Sequence, residues 1–373
     1  MAPCGRCCTA QEARPVTSAP TPSFATYLLT ALVATAGGGL AWLAHIPLPW
    51  MLGAMAATGA LAWRERAAVA APVRPVALLA LGLGLGQTFT TPVLAALAWA
   101  LPWLVLAAVV SILVGALVAR AFARMAGTDP QTGYFSAVPG GIIVMVVLAQ
   151  RAGVSVPAVT LAQTIRVMVV VVIFPPLVTW LAPYLTLGLA AGDGAGAFFA
   201  ERPPVHLPGL ALMAAAGLAA ALVIRRLDLA NPWMLGPCAL VIALSAFGAL
   251  PSGVPLWMID AAQVGMGAGL GARMSRRFLL ASRRLALASV ASTFLLSALL
   301  AGLAVGLAWI SGLPLMAVVL GMAPGGMPEM TITAKALGFA VPLVLGFHLI
   351  RTIACNLLVG PVWRLAERVG LHR

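Results

Sequence analysis

The sequence predicts an all-α polytopic membrane protein: two inverted repeats, about ten transmembrane helices, and two Pro-Gly-Gly re-entrant or broken-helix elements. Three observations carry that prediction. Of 373 residues, 62% are hydrophobic and only 8% are charged, against about 25% charged in a soluble domain. So few charges could not cover a water-soluble fold of this size, which excludes soluble enzymes, DNA-binding domains and secreted disulfide scaffolds. Next, apolar stretches recur along the whole chain, separated by charges or Pro/Gly turns. Finally, the second set of stretches repeats the first.

In order, the apolar stretches fall at about 24–44, 49–63, 75–91, 100–123, 133–150 and 156–182, then 207–227, 231–250, 255–272, 286–310, 313–335 and 340–362. Several are shorter than the roughly 20 residues that a helical span requires, so twelve stretches need not give twelve spans. The domains expected are a disordered tail at 1–23, a membrane repeat at 24–182, a linker at 183–206, a second repeat at 207–363 and a tail at 364–373. The first stretch resembles a signal peptide, but the many spans beyond it favour an uncleaved anchor. Cys4, Cys7 and Cys8 lack companions at zinc-site spacing, and the four His residues are widely scattered, so neither a metal nor a cofactor is expected.

The duplication is read from ordered identities. Pro49-Trp50-Met51-Leu52-Gly53 recurs as Pro232-Trp233-Met234-Leu235-Gly236, 183 positions later. Gly82, Gly84 and Gly86 match Gly265, Gly267 and Gly269 at the same shift. Val138-Pro139-Gly140-Gly141 matches Ala323-Pro324-Gly325-Gly326 at a shift of 185, and Arg166 matches Arg351. The Gly-x-Gly runs lack the strand and acidic context of a nucleotide loop, and their small-residue spacing predicts close helix packing.

The net charge is +13, from 22 basic and 9 acidic residues. In a membrane protein such an excess marks cytoplasmic loops rather than a nucleic-acid partner. Arg64, Arg66, Arg74, Arg120 and Arg124 follow the second and fourth stretches of the first half. In the second half, Arg225, Arg226, Arg273, Arg276, Arg277, Arg283 and Arg284 follow the first and third. Equivalent loops therefore face opposite sides, which requires an odd number of crossings per repeat. The stretches at 133–150 and 313–335 are the candidates to enter and return on one side, since proline removes a backbone donor and breaks the helix. Both termini are then cytoplasmic. Lys335 and Arg202 fall outside.

Paired discontinuous elements are a plan of secondary transporters, with a solute site near the midplane. The candidate solute-binding residues are Pro139, Gly140, Gly141, Arg166, Pro324, Gly325, Gly326, Glu329 and Arg351. Arg166 and Arg351 each lie about 15 Å into an apolar segment, where an ionisable side chain points to function. Each guanidinium could face an anion or cap the carbonyls of the neighbouring break. Glu329, whose counterpart is Val144, could pair with Arg351 or Arg166 or carry a proton. His348, opposite Gln163 in the other half, could titrate or simply pack. Asp260 is expected at a membrane interface.

The paired Pro-Trp-Met-Leu-Gly and Pro-Gly-Gly motifs, in a duplicated chain of this length, resemble the bacterial membrane AbrB family, which is unrelated to the soluble DNA-binding protein of that name. The resemblance covers about Phe24 to Trp363. It implies an integral membrane protein and brings labels of gene-expression regulator and ammonia monooxygenase, with no catalytic residues to carry over. The residues themselves predict a non-enzymatic, secondary-transporter-like protein that moves or senses a small anionic solute. The alternative is a membrane regulator acting indirectly, without direct nucleic-acid binding. Lipid bilayer and a small anionic solute are the partners expected, and a homo-oligomer is compatible with this reading.

Overall fold

The computed structural model describes residues 22–186, 204–227 and 231–368. Cys4, Cys7, Cys8 and Arg202 lie outside the described residues, as do nearly all of the expected amino-terminal tail and most of the linker. Every regular element among the described residues is a helix. The first half holds α1 (Phe24–Leu43), α2 (Pro49–Trp63), α3 (Val73–Gly86), α4 (Thr91–Ala126), α5 (Pro130–Ala137), α6 (Ile142–Arg151) and α7 (Val156–Thr186). The second holds α8 (Leu207–Arg226), α9 (Pro232–Ala246), α10 (Leu256–Gly271), α11 (Arg276–Leu280), α12 (Arg283–Ser311), α13 (Leu315–Met322), α14 (Met327–Ala336) and α15 (Val341–Arg368). The last helix runs on through Arg364, beyond the boundary expected at 363.

Prolines set many of these starts. Pro49, Pro92, Pro130, Pro208, Pro232 and Pro328 occupy the first or second helical position, where a missing N–H leaves no bond unmade. Gly127 and Gly312 close α4 and α12 in the left-handed conformation, donating back to Ala123 and Ala308. Leu48 and Asn231, each just before a Pro-Trp-Met-Leu-Gly run, share a left-handed backbone at φ 52°.

Among the described residues six helices are long and apolar enough to cross a membrane: α1, α4, α7, α8, α12 and α15. By contrast α2, α3, α9 and α10 have only 14 to 16 residues, about 21–24 Å at 1.5 Å per residue. Large apolar side chains face outward across the surface, Trp42, Trp99, Trp309, Leu117 and Phe247 among them. A soluble monomer rarely exposes so much apolar surface, whereas lipid chains accommodate it. The chain therefore has the character of a membrane protein.

The short helices pack across the halves. Gly82 and Gly86 of α3 lie against the carbonyl oxygens of Met234 and Cys238 on α9, and Gly267 and Gly271 of α10 lie against those of Met51 and Met55 on α2. The expected close packing is present, but its register corrects the expectation. Met51 and Met55 correspond to Met234 and Cys238 at a shift of 183, so the glycines that play the same part are Gly82 with Gly267 and Gly86 with Gly271, a shift of 185. A Gly-x-Gly run matches itself when slid by two, and only the carbonyls that each glycine touches select the register.

Both Pro-Gly-Gly stretches break their helices. Val138 and Gly141 are extended (ψ 130° and 141°) between α5 and α6, and Ala323 and Gly326 (ψ 138° and 150°) between α13 and α14. Contacts give the direction of each broken pair. The start of α12 meets the end of α4, where Arg284 donates to the carbonyls of Met125 and Arg124. Gly346 of α15 packs on Leu97 and Leu104 of α4, while the Tyr134 hydroxyl beyond the end of α4 reaches Val359 O. Thus α15 runs parallel to α4 and begins at the end where α12 finishes. The α13–α14 pair enters from that end and returns to it. Ala162 and Arg166 of α7 share a small void with Phe122, near the end of α4, and with Ser289, near the start of α12. So α7 starts at the arginine-rich end, and the α5–α6 pair enters and returns there. These are two hairpins, one from each end of the bundle.

Candidate functional site

Each hairpin tip is held by one buried arginine, placed by a long helix alongside it. Arg166 of α7 donates from Nη1 to Val138 O and from Nη2 to Gly140 O, both at 2.9 Å. Arg351 of α15 donates from Nη1 to Ala323 O at 2.7 Å and from Nη2 to Gly325 O at 2.9 Å. The sequence separations are 28 and 26 residues in both cases. The planar fork of guanidinium suits two carbonyls a residue apart. A broken helix takes such carbonyls out of the regular amide ladder, and satisfying them is obligatory at low dielectric; Val138 O also accepts from Gly140 N at 2.8 Å. The capping role expected of these arginines is therefore present in full. Arg166 Nε nevertheless remains buried without a partner.

One turn earlier on each helix a second side chain does related work. Gln163 Nε2 donates to Phe135 O at 2.7 Å, and His348 Nε2 meets Leu320 O at 3.1 Å. His348 Nδ1 lies 2.7 Å from Arg351 Nη2. Arginine has no acceptor, so Nδ1 must accept, and Nε2–H is the donor to Leu320. That pair of bonds fixes a neutral imidazole and gives His348 a supporting role beside Arg351.

The two tips converge on one cavity of about 300 Å³. Gly140, Gly141, Gly325, Gly326, Arg166, Arg351, Glu329 and His348 all line it. Pro139 and Pro324 are buried behind the tips and are not among the lining residues; Pro139 packs against Gly115 of α4. The cavity also takes in Arg74, in the first turn of α3, and Arg273, just past α10, together with Asn231. Burial, followed by the neighbouring Arg74, holds the Arg273 guanidinium below its ordinary range, and Glu329 opposes this. The cavity wall thus carries four guanidinium groups and one carboxylate, with apolar lining from Met266, Leu270 and Met327.

Glu329 is 4% exposed, and its Oε2 has no hydrogen-bond partner. The expected pairing with Arg351 or Arg166 is not formed: both guanidiniums are turned to hairpin carbonyls, and the cations facing Glu329 are Arg74 and Arg273. Its carboxylate folds back over Gly326, the N-cap of its own helix. Neither Gly326 nor the corresponding N-cap, Gly141 of α6, has a side-chain cap hydrogen bond. Lys335 reaches Gly84 O at 3.3 Å, and Asp260, half-buried, accepts from Gln263 and faces Lys335. Both lie apart from the cavity lining.

Sequence reasoning missed Arg74 and Arg273, which it assigned wholly to loop charge. Their signal was the length of α3 and α10: a helix of 14 or 16 residues leaves the arginine beside its end partly buried against the cavity rather than fully out at the surface. No group of three His, Cys, Asp or Glu residues suited to a metal ion occurs among the described residues.

Comparison with known proteins places the chain in one family. Residues 50–367 match the family model described as "Transition state regulatory protein AbrB". The chain is 30% identical over 357 residues to "Uncharacterized protein YhjN" of Bacillus subtilis (strain 168), covering 90% of this chain and 92% of that protein. It is 27% identical over 284 residues to "Putative regulator AbrB" of Escherichia coli (strain K12), covering 75% and 78% respectively. No solved structure matches the chain.

Proposed function

The chain belongs to the AbrB family, and on that premise we propose that it is a secondary-transporter-like membrane protein that binds a small anion between its two hairpin tips. One observation carries the proposal: two hairpins from opposite ends of the bundle meet at a single cavity bearing four arginines and one glutamate. The amino-terminal end of α6 and the buried Arg166 Nε supply donors that an anion could use. A hairpin from each end, with equivalent cross-half packing of the short helices, supports two inverted repeats. Each repeat would then have five crossings and one hairpin. The arginine-rich end is the cytoplasmic side of a bacterial inner membrane on this reading, with both termini there. Rocking or sliding of the repeats around a fixed site would alternate its access.

Because Arg166 and Arg351 hold the hairpins, the test belongs to Arg74 and Arg273, which hold no hairpin carbonyl among the described residues. The full chain in proteoliposomes should take up or release small organic anions, and Arg74→Gln with Arg273→Gln should abolish the flux while leaving the melting temperature within a few degrees. Unchanged flux in the double variant would remove the site from this cavity. A second reading has support in the printed names of the family and one relative: a membrane regulator acting indirectly. Loss of the regulatory output in the flux-dead variant makes regulation a consequence of transport. Retention of that output, with loss when Arg276, Arg277 and Arg283 are neutralised, places it on a partner surface.

A further inference from the structure

The two hairpins differ in one respect that bears on what accompanies the anion. At the tip of the second, the protein's own carboxylate occupies the helix start: Glu329 folds back over Gly326, its Oε2 buried and without a hydrogen-bond partner. At the tip of the first, the sequence places Val144 where Glu329 would stand. The cavity therefore holds one internal carboxylate, contributed by the second hairpin.

The charges around Glu329 come from every element packed against it. Arg74 on α3 and Arg273 beyond α10 line the same cavity and attract its carboxylate. Arg166 on α7 and Arg351 on α15 share the cavity wall but are committed to hairpin carbonyls, and His348 is held neutral by its bonds to Arg351 and Leu320. Lys335, on Glu329's own helix, reaches Gly84 and faces Asp260. The two cavity cations that hold no hairpin carbonyl among the described residues, Arg74 and Arg273, are thus the two that already attract Glu329. A like charge brought within about 4–6 Å favours the neutral form of a carboxyl group.

Resting on the anion-binding reading above, we propose that Glu329 carries a coupling proton, so that the cavity takes up one small anion and one proton together. As the anion settles between Arg74 and Arg273, an O–H bond forms at Glu329 Oε2 with a proton drawn from water. The carboxyl is then neutral and gains a donor to offer the anion. Release reverses both steps. For a monoanion the exchange leaves the net charge of the cavity unchanged, which lowers the cost of carrying it across a bilayer.

The test uses the purified full chain in detergent with nitrate, methanesulfonate, acetate and butyrate, whose charges stay constant from pH 6.0 to 8.5. Binding is followed by thermal shift and by calorimetry in two buffers of different ionisation enthalpy. A probe that binds is expected to weaken by about tenfold per pH unit as the pH rises, with uptake of about one proton. Glu329→Gln, which imitates the protonated carboxyl, is expected to bind with a flat pH profile and no proton uptake. Binding by the unmodified protein without pH dependence or proton uptake overturns the coupling but leaves the anion site standing. So does a folded Glu329→Gln protein that retains the wild-type slope. If no probe binds at any pH, the anion site itself falls and this proposal with it. The pH slope and proton uptake of the unmodified protein decide the matter even if the variant does not fold.

Discussion

Arg351 Nη2 donates to His348 Nδ1 at 2.7 Å while also holding Gly325 O at 2.9 Å. The imidazole thereby works as a fixed acceptor and leaves only its Nε2–H to reach Leu320 O. A residue that could have served as a pH switch is instead part of the clamp on the second hairpin.

That clamp predicts an asymmetric response at position 348. His348→Gln should fold and bind almost normally, because Gln163 already fills the equivalent place in the first half. His348→Ala leaves Leu320 O without this donor, so a loss of about 1–3 kcal/mol is expected. Melting curves of both variants are the check, and equal losses would show that the side chain only fills space.

At the arginines, chemistry should matter more than charge. Arg166→Ala and Arg351→Ala each strip two buried carbonyls of their arginine donors, which should lower stability by about 2–5 kcal/mol. Lysine retains the charge but presents a single ammonium point, so Arg351→Lys should recover only part of the loss. Full recovery of the melting temperature by lysine would mean that the bidentate bonds contribute little.

The glycine seam makes a prediction that charge cannot confuse. A methyl group at Gly267 would run into Met51 O, whereas at Gly269 it meets nothing within 4 Å. Gly267→Ala should destabilise by about 1–3 kcal/mol through overpacking. Gly269→Ala should be neutral or stabilise by up to about 1 kcal/mol, since alanine favours the helix. Thermal melts of the two variants should therefore move apart.

Sidedness can be tested with single cysteines in a background stripped of the native ones. Ser282, at the start of α12, should react with an impermeant maleimide only from the cytoplasmic face, and Gly312, just past its end, only from the opposite one. The same reagent should find Arg64 and Ala249 positions, both exposed, on opposite faces. Labelling of all four from one side would dismantle the inverted arrangement.

Much of this site was legible in the sequence because its parts break local rules. Proline and two glycines inside an apolar stretch cannot continue a helix, and an arginine ten residues into such a stretch needs buried partners. Those residues do line the cavity, apart from the two prolines, whose rings stay behind the tips. Glu329 was visible too, but its partners were not. Arg74 and Arg273 look like any other loop arginine until the lengths and packing of α3 and α10 draw them inward.

By itself, then, the sequence determined the all-helical membrane character, the family, and the places where the helices break, because these follow from composition and from backbone chemistry within a few residues. Only the tertiary structure decided which cations face Glu329, which tautomer His348 adopts, and which glycine meets which carbonyl. Those depend on contacts between residues far apart in the chain. Hydrogen-bond direction and close packing, unlike hydropathy, exist only once both partners are in place.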